Sequence, residues 1–91
     1  MATSFLKDPD EVLDFKIDWS AQMTEDSDTI TASTWTVPTG ITEDSESETT
    51  TATTIWLSSG TKNADYDIVN EIVTTDGRTY NRTLTIQVRE R

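Results

Sequence analysis

Seven large side chains, Tyr66, Ile68, Ile72, Tyr80, Leu84, Ile86 and Val88, all occupy even positions on the two sides of Thr75-Asp76-Gly77. A period of two marks a half-buried strand, and a short Gly-containing break between two such runs marks a hairpin. Loop length decides whether the two apolar sets meet on one face. A two-residue loop, Asp76-Gly77, would set Thr75 against Arg78 and leave Ile68 opposite Thr85. A three-residue loop with Gly77 in the left-handed conformation sets Thr74 against Arg78, so that Ile72 faces Tyr80, Ile68 faces Leu84 and Tyr66 faces Ile86. The sequence therefore predicts a type I turn closed by a bulge at Gly77.

Further toward the N-terminus the same period recurs between turn signals. Leu13, Phe15, Ile17 and Trp19 alternate with Asp14, Lys16 and Asp18. A helix would also align Leu13 with Ile17 and Phe15 with Trp19, but it would scatter the two aspartates among the apolar positions, so the strand is preferred. Just before it, Asp8-Pro9-Asp10-Glu11 reads as one helical turn with Asp8 as N-cap. Residues 29–37 are β-branched and aromatic, and their apolar parity switches between Ala32 and Trp35, which predicts a bulge near Ser33-Thr34. Pro38-Thr39-Gly40 ends that strand, residues 43–48 read as an acidic loop, residues 49–57 form another strand, and Ser58-Ser59-Gly60-Thr61 turns the chain.

Five patterned segments without a convincing long helix predict an all-β fold, a small immunoglobulin- or fibronectin III-like β-sandwich. Tyr66, at the start of the penultimate strand, is placed where such folds carry a tyrosine whose hydroxyl bonds back to upstream backbone, and an ordinary half-buried tyrosine is an equal reading. A chain of 91 residues has room for one such domain. The expected organisation is a single domain over residues 1–91, with residues 1–11 a flexible or short-turn segment.

Composition removes most chemistry. There is no Cys and no His, so a zinc site of the usual N/S type, a Cys nucleophile, a Ser-His-Asp relay and a disulfide frame are excluded. The net charge of −10 argues against nucleic acid, whose phosphates call for clustered Lys and Arg. No apolar run reaches the roughly 18 residues of a membrane span, and the first residues lack the pattern of a secretory signal. The acids concentrate in the first half of the chain, with tips at residues 25–28 and 43–48, while Arg78, Arg82, Arg89 and Arg91 collect toward the C-terminus. Asp8, Asp10 and Asp14, or Glu25, Asp26 and Asp28, would supply calcium oxygens, but neither set has the glycine turn and distant bidentate Glu of a helix-loop-helix site, so both read as solvated loops. No catalytic, cofactor-binding or metal-ligating residue is nominated, and no cofactor is expected. The separation of charge would suit a subunit that stacks head-to-tail on its own copies, and serves plain solubility equally well.

One resemblance runs in order along the chain. Asp8-Pro9-Asp10, Leu13-Asp14-Phe15, Ile17-Asp18-Trp19-Ser20, Asp28-Thr29-Ile30, Trp35-Thr36-Val37, Thr54-Ile55-Trp56-Leu57-Ser58-Ser59-Gly60-Thr61, Tyr66, Val73-Thr74-Thr75-Asp76-Gly77-Arg78 and Ile86-Gln87-Val88-Arg89 together resemble a family of short tailed-bacteriophage and prophage structural proteins. That family includes fibre-to-tail adaptors with an immunoglobulin-like fold. Where such families often carry Gly-Gly, this chain has Ser59-Gly60. The resemblance implies a non-enzymatic virion structural protein, a fibre-to-tail or neck adaptor working through protein-protein contacts. Its partners would be neck, tail or fibre proteins and copies of itself, without nucleic acid or membrane, in a virion assembled from the bacterial host cytoplasm. The alternative is an extracellular immunoglobulin-like module for adhesion or carbohydrate contact, with Trp19, Trp35 or Trp56 as an exposed platform.

Overall fold

The structure, a computed structural model, describes residues 2–90. Seven strands and one short helix follow in the order β1 (Ala2–Lys7), β2 (Leu13–Asp18), α1 (Ser20–Asp26), β3 (Ile30–Thr36), β4 (Ile41–Glu48), β5 (Ala52–Ser59), β6 (Asp65–Thr74) and β7 (Thr79–Val88). They form two sheets, a four-stranded one ordered β1-β7-β6-β3 and a three-stranded one ordered β2-β5-β4. Neighbouring strands are antiparallel except β1, which runs parallel to β7. The facing sides enclose one core, with Ile55, Leu57, Ile68, Ile72, Ile86 and Val88 wholly buried. The all-β sandwich expected from the alternating pattern is therefore the fold observed.

The C-terminal hairpin has the register that the longer loop requires. Ile72 pairs with Tyr80, Ile68 with Leu84 and Tyr66 with Ile86. Gly77 lies at φ +89°, and the Thr74 N–H donates to the Arg78 carbonyl at 2.9 Å. Burying six large side chains on one face, with Tyr80 packed partly against them, outweighs the tighter twist match of a two-residue turn.

β2 is the strand read from its alternation, with Phe15 and Ile17 inward and Asp14, Lys16 and Asp18 outward. The helical spacing noted there is realised one step later. Trp19 leaves the strand, and its carbonyl accepts the Met23 N–H at 2.9 Å to open α1, which buries Met23. The helix ends at Ser27 in the left-handed conformation. Seven residues with no side-chain N-cap bond give too short a pattern to signal a helix beforehand.

Three other expectations are corrected. The bulge in β3 falls between Ile30 and Ala32, not near Ser33-Thr34. Moving it there leaves Ala32 exposed and turns Ser33 toward Asn70, whose Nδ2 donates to Ser33 Oγ at 2.9 Å; a buried amide gains more from that partner than a methyl gains from burial. Residues 43–48 are not a loop but most of edge strand β4, in which only Ile41 is buried. An edge strand has one neighbour and tolerates charge, so its sequence loses the apolar alternation that marks inner strands. Residues 1–11, expected to be flexible or a short turn, contain strand β1 followed by a hydrogen-bonded turn in which Asp8 Oδ1 accepts from the Asp10 N–H at 2.9 Å and Glu11 Oε1 accepts from the Asp8 N–H at 2.8 Å. Parallel addition to β7 supplies the backbone partners that composition could not reveal, and Phe5 packs on Phe15 with ring centroids 5.2 Å apart.

Two features tie the layers together. Asn70 is wholly buried on β6; its Oδ1 accepts from Thr53 Oγ1 at 2.7 Å and from Trp19 Nε1 at 3.2 Å. Lys7, also wholly buried, closes β1 by donating from Nζ to the Ser59 carbonyl at 2.6 Å and the Asp8 carbonyl at 2.9 Å. Burial pulls its pKa down, against the opposing pull of the carboxylates of Glu11, Asp8, Asp10 and Asp44.

Candidate functional site

Most of the charged groups singled out in the sequence are used up in local structure. Asp28 has a fully covered side chain. Its Oδ1 accepts the Thr29 and Asp76 N–H groups at 2.9 and 3.2 Å, and its Oδ2 meets Arg78 Nη1 at 2.9 Å. Burial pushes its pKa up, but bonds from the Thr74 side chain, the two backbone N–H groups and Arg78 outweigh that and hold the carboxyl at about 2. Asp26 takes a 2.6 Å hydrogen bond from the Tyr80 hydroxyl and a second from Gln22, and these hold its carboxyl below the usual range. The tip at residues 25–28 is thus a helix end bonded to the β6–β7 hairpin, not a solvated acidic loop.

The arginines are likewise engaged. Arg78 bridges Asp28 and Asp76, Arg82 stacks 4.3 Å above the Trp19 ring, and Arg89 pairs with Asp65 at 2.9 Å; Arg91 lies outside the described residues. Of the arginines singled out for head-to-tail stacking, Arg78 and Arg89 are thus paired with acids of their own chain. Among the described residues no group of three or more acids is placed to hold a metal ion.

Of the three tryptophans, Trp19 is 2% and Trp35 7% exposed, whereas Trp56 is 41% exposed. Trp56 stands on the outer face of the central strand β5, opposite Asp14 on β2 and Ser45 on β4. The hydroxyl of Tyr66 makes the expected backbone bond, accepting from the Thr61 N–H at 2.9 Å. A Cβ on Gly40 would come within 2.9 Å of that oxygen, so the β3–β4 turn closes against the same phenol.

What remains uncompensated is β4. Cross-strand partners share a face of the sheet, and Glu43, Glu46 and Glu48 oppose Leu57, Ile55 and Thr53, which are buried. The three carboxylates therefore project on the inner side of the sandwich, at the open border of the three-stranded sheet, and are exposed to solvent. Burial, the hydrogen bond with Glu43 and the charges of Glu43 and Glu48 raise the Glu46 pKa. Among the described residues no Lys or Arg pairs with this row. Nothing in the spacing of these acids signals a shared face, because the bulge between Glu43 and Ser45 interrupts it.

The family model described as podophage GP4 fiber-tail adaptor protein gp77 matches residues 7–87. The chain belongs to this family. The span shared with the fiber-tail adaptor family begins at Lys7, the last residue of β1, and ends one residue short of the end of β7. It takes in the Asn70–Thr53 tie, the Tyr66 bond and the whole of the acidic edge strand of this adaptor-family chain. Comparison with curated proteins finds no match.

Proposed function

We propose that this chain is a non-enzymatic structural adaptor of a tailed-phage virion, contacting tail and fibre proteins through its surface. The observation that carries this reading is the family match over residues 7–87. It is supported by a sandwich whose interior is filled by its own side chains and whose recognisable features are faces and strand edges. In this role the molecule is placed in the virion after synthesis in the host cytoplasm, and residues 1–91 act as a single folded unit.

The strand order favours the immunoglobulin-like form of the sandwich. Lettering β2 to β7 as B to G gives a B-E-D sheet facing a G-F-C sheet, with β1 added along G, and Tyr66 supplies the corner bond on F. The alternative, an adhesion or carbohydrate-contacting module, draws on Trp56 alone, since Trp19 and Trp35 are buried.

The test is assembly with and without the gene. Particles made in its absence are expected to lack fibres, and the chain supplied in trans is expected to restore them and to co-purify with tails. Fully fibred particles made without it would overturn the reading.

A further inference from the structure

The open border between the two sheets combines three features. First, β4 bonds only to β5, so the outward edge of its backbone presents free N–H and C=O groups. Second, Glu43, Glu46 and Glu48 line the inner side of that edge. Third, the facing wall holds an orphan donor. The Asn70–Thr53 bond sets β6 over β5, which puts β3, the next strand out on one sheet, over β4, the next strand out on the other. Trp35 opposes Asn70 on β3, and Glu48 opposes Thr53 on β4. The indole is therefore turned into the border that carries the glutamates. Trp35 is 7% exposed, yet its Nε1–H is buried without an acceptor, a condition that native interiors rarely tolerate.

We propose that the β4 edge takes up an extended cationic segment of another virion protein as an added strand, with Lys or Arg at alternate positions over Glu43, Glu46 and Glu48. An extended segment is required because the edge offers backbone partners. Alternation follows from the faces, since Ser45 and Ser47 lie on the other side and the intervening Asp44, at the bulge, is bonded to Ser58. Cations are required because the row has none of its own; burial first, and then the hydrogen bond and charge of Glu43 and the charge of Glu48, hold the Glu46 carboxyl above its ordinary value. A second copy is a poor occupant, because each copy brings the same acidic edge and a net charge of −10.

The identity of the partner as a virion protein rests on the adaptor reading; the site itself does not. Two synthetic peptides test the site, one alternating Lys with Thr and one of equal composition with its lysines in a block. The alternating peptide is expected to bind saturably, to protect the amides of residues 41–48 from hydrogen exchange, and to bind about tenfold more tightly than the block peptide. Glu43→Gln/Glu46→Gln/Glu48→Gln should remove that preference with the fold intact by circular dichroism, while Asp14→Asn on the outer face should not. Equal binding of the two peptides, no binding, protection elsewhere, or self-association through β4 would each overturn the proposal. In particle assembly, a triple variant that restores fibres as well as the parent chain would overturn it and leave the adaptor reading standing; a parent chain that never joins particles would sink the adaptor reading, and the peptides would still decide the site.

Discussion

Thr53 donates a 2.7 Å hydrogen bond to Asn70 across the sandwich, and both side chains are wholly buried. The same Asn70 oxygen accepts from Trp19 Nε1, and its Nδ2 donates to Ser33 Oγ and the Thr34 carbonyl. One amide thus binds residues from the β2–α1 junction, β3 and β5 to β6. Removing it strands several buried polar groups at once. Asn70→Ala should cost about 2–4 kcal/mol in urea unfolding, and Thr53→Val, which removes one acceptor of the Trp19 indole but leaves its bond to Asn70 in place, about 1 kcal/mol. Equal losses from the two variants would show that the amide is not the hub.

The glycines of two turns separate backbone strain from collision. Gly77, at φ +89°, has nothing within 4 Å of where a Cβ would sit, whereas Gly40, at φ +109°, faces Tyr66 Oη at 2.9 Å. Gly77→Ala should therefore cost only the left-handed penalty of about 1–2 kcal/mol. Gly40→Ala should cost more, because it also displaces the phenol from the Thr61 N–H. Thermal unfolding of both variants beside Tyr66→Phe measures the difference.

Stability toward acid should track Asp28. Its folded pKa of about 2 lies below the ordinary 3.8, so the unfolded chain binds the proton first and stability falls as pH drops through that interval. Asp18, held low chiefly by bonds from Ser20, and Asp26, held low by Tyr80, act in the same direction. Asp28→Asn should make the decline between about pH 4 and pH 2 shallower without removing it. Denaturant midpoints across that range provide the measurement.

Glu46 has the opposite sign. A carboxyl raised above its ordinary 4.5 binds its proton more tightly in the folded state, so its contribution falls as pH rises through the folded value. Glu46→Gln should stabilise the protein at neutral pH and have little effect below pH 4. Added salt should raise the melting temperature by screening the same row, and Glu43→Gln/Glu46→Gln/Glu48→Gln should remove most of that salt response. A triple variant that keeps the full response would place the repulsion elsewhere.

The two halves of the chain differed in how openly they stated their structure. In the C-terminal hairpin, Ile68, Ile72, Leu84 and Ile86 must all reach one core, and Gly77 permits one register in which they do, so pattern and turn chemistry agreed. In β4, Glu43, Glu46 and Glu48 face inward at the edge of the sandwich, where they stay exposed to solvent, and an inner face bearing charge reads as a loop. β1 was hidden because its partner is parallel and distant in the chain. The border site was invisible for a related reason. It is made by the offset of two sheets, and no local run of residues records which strand lies above which.

The parallel pairing of β1 with β7 has a mechanical consequence. Ala2 lies beside Thr83 and Lys7 beside Val88, so the first strand begins at one end of the pair and the last strand finishes at the other. A force drawing the two termini apart would slide these strands along each other, loading their hydrogen bonds together instead of peeling them one by one. Tension would also bear on the Lys7 ammonium, held between the Ser59 and Asp8 carbonyls. A link strained between its ends would be closed by a shear clasp.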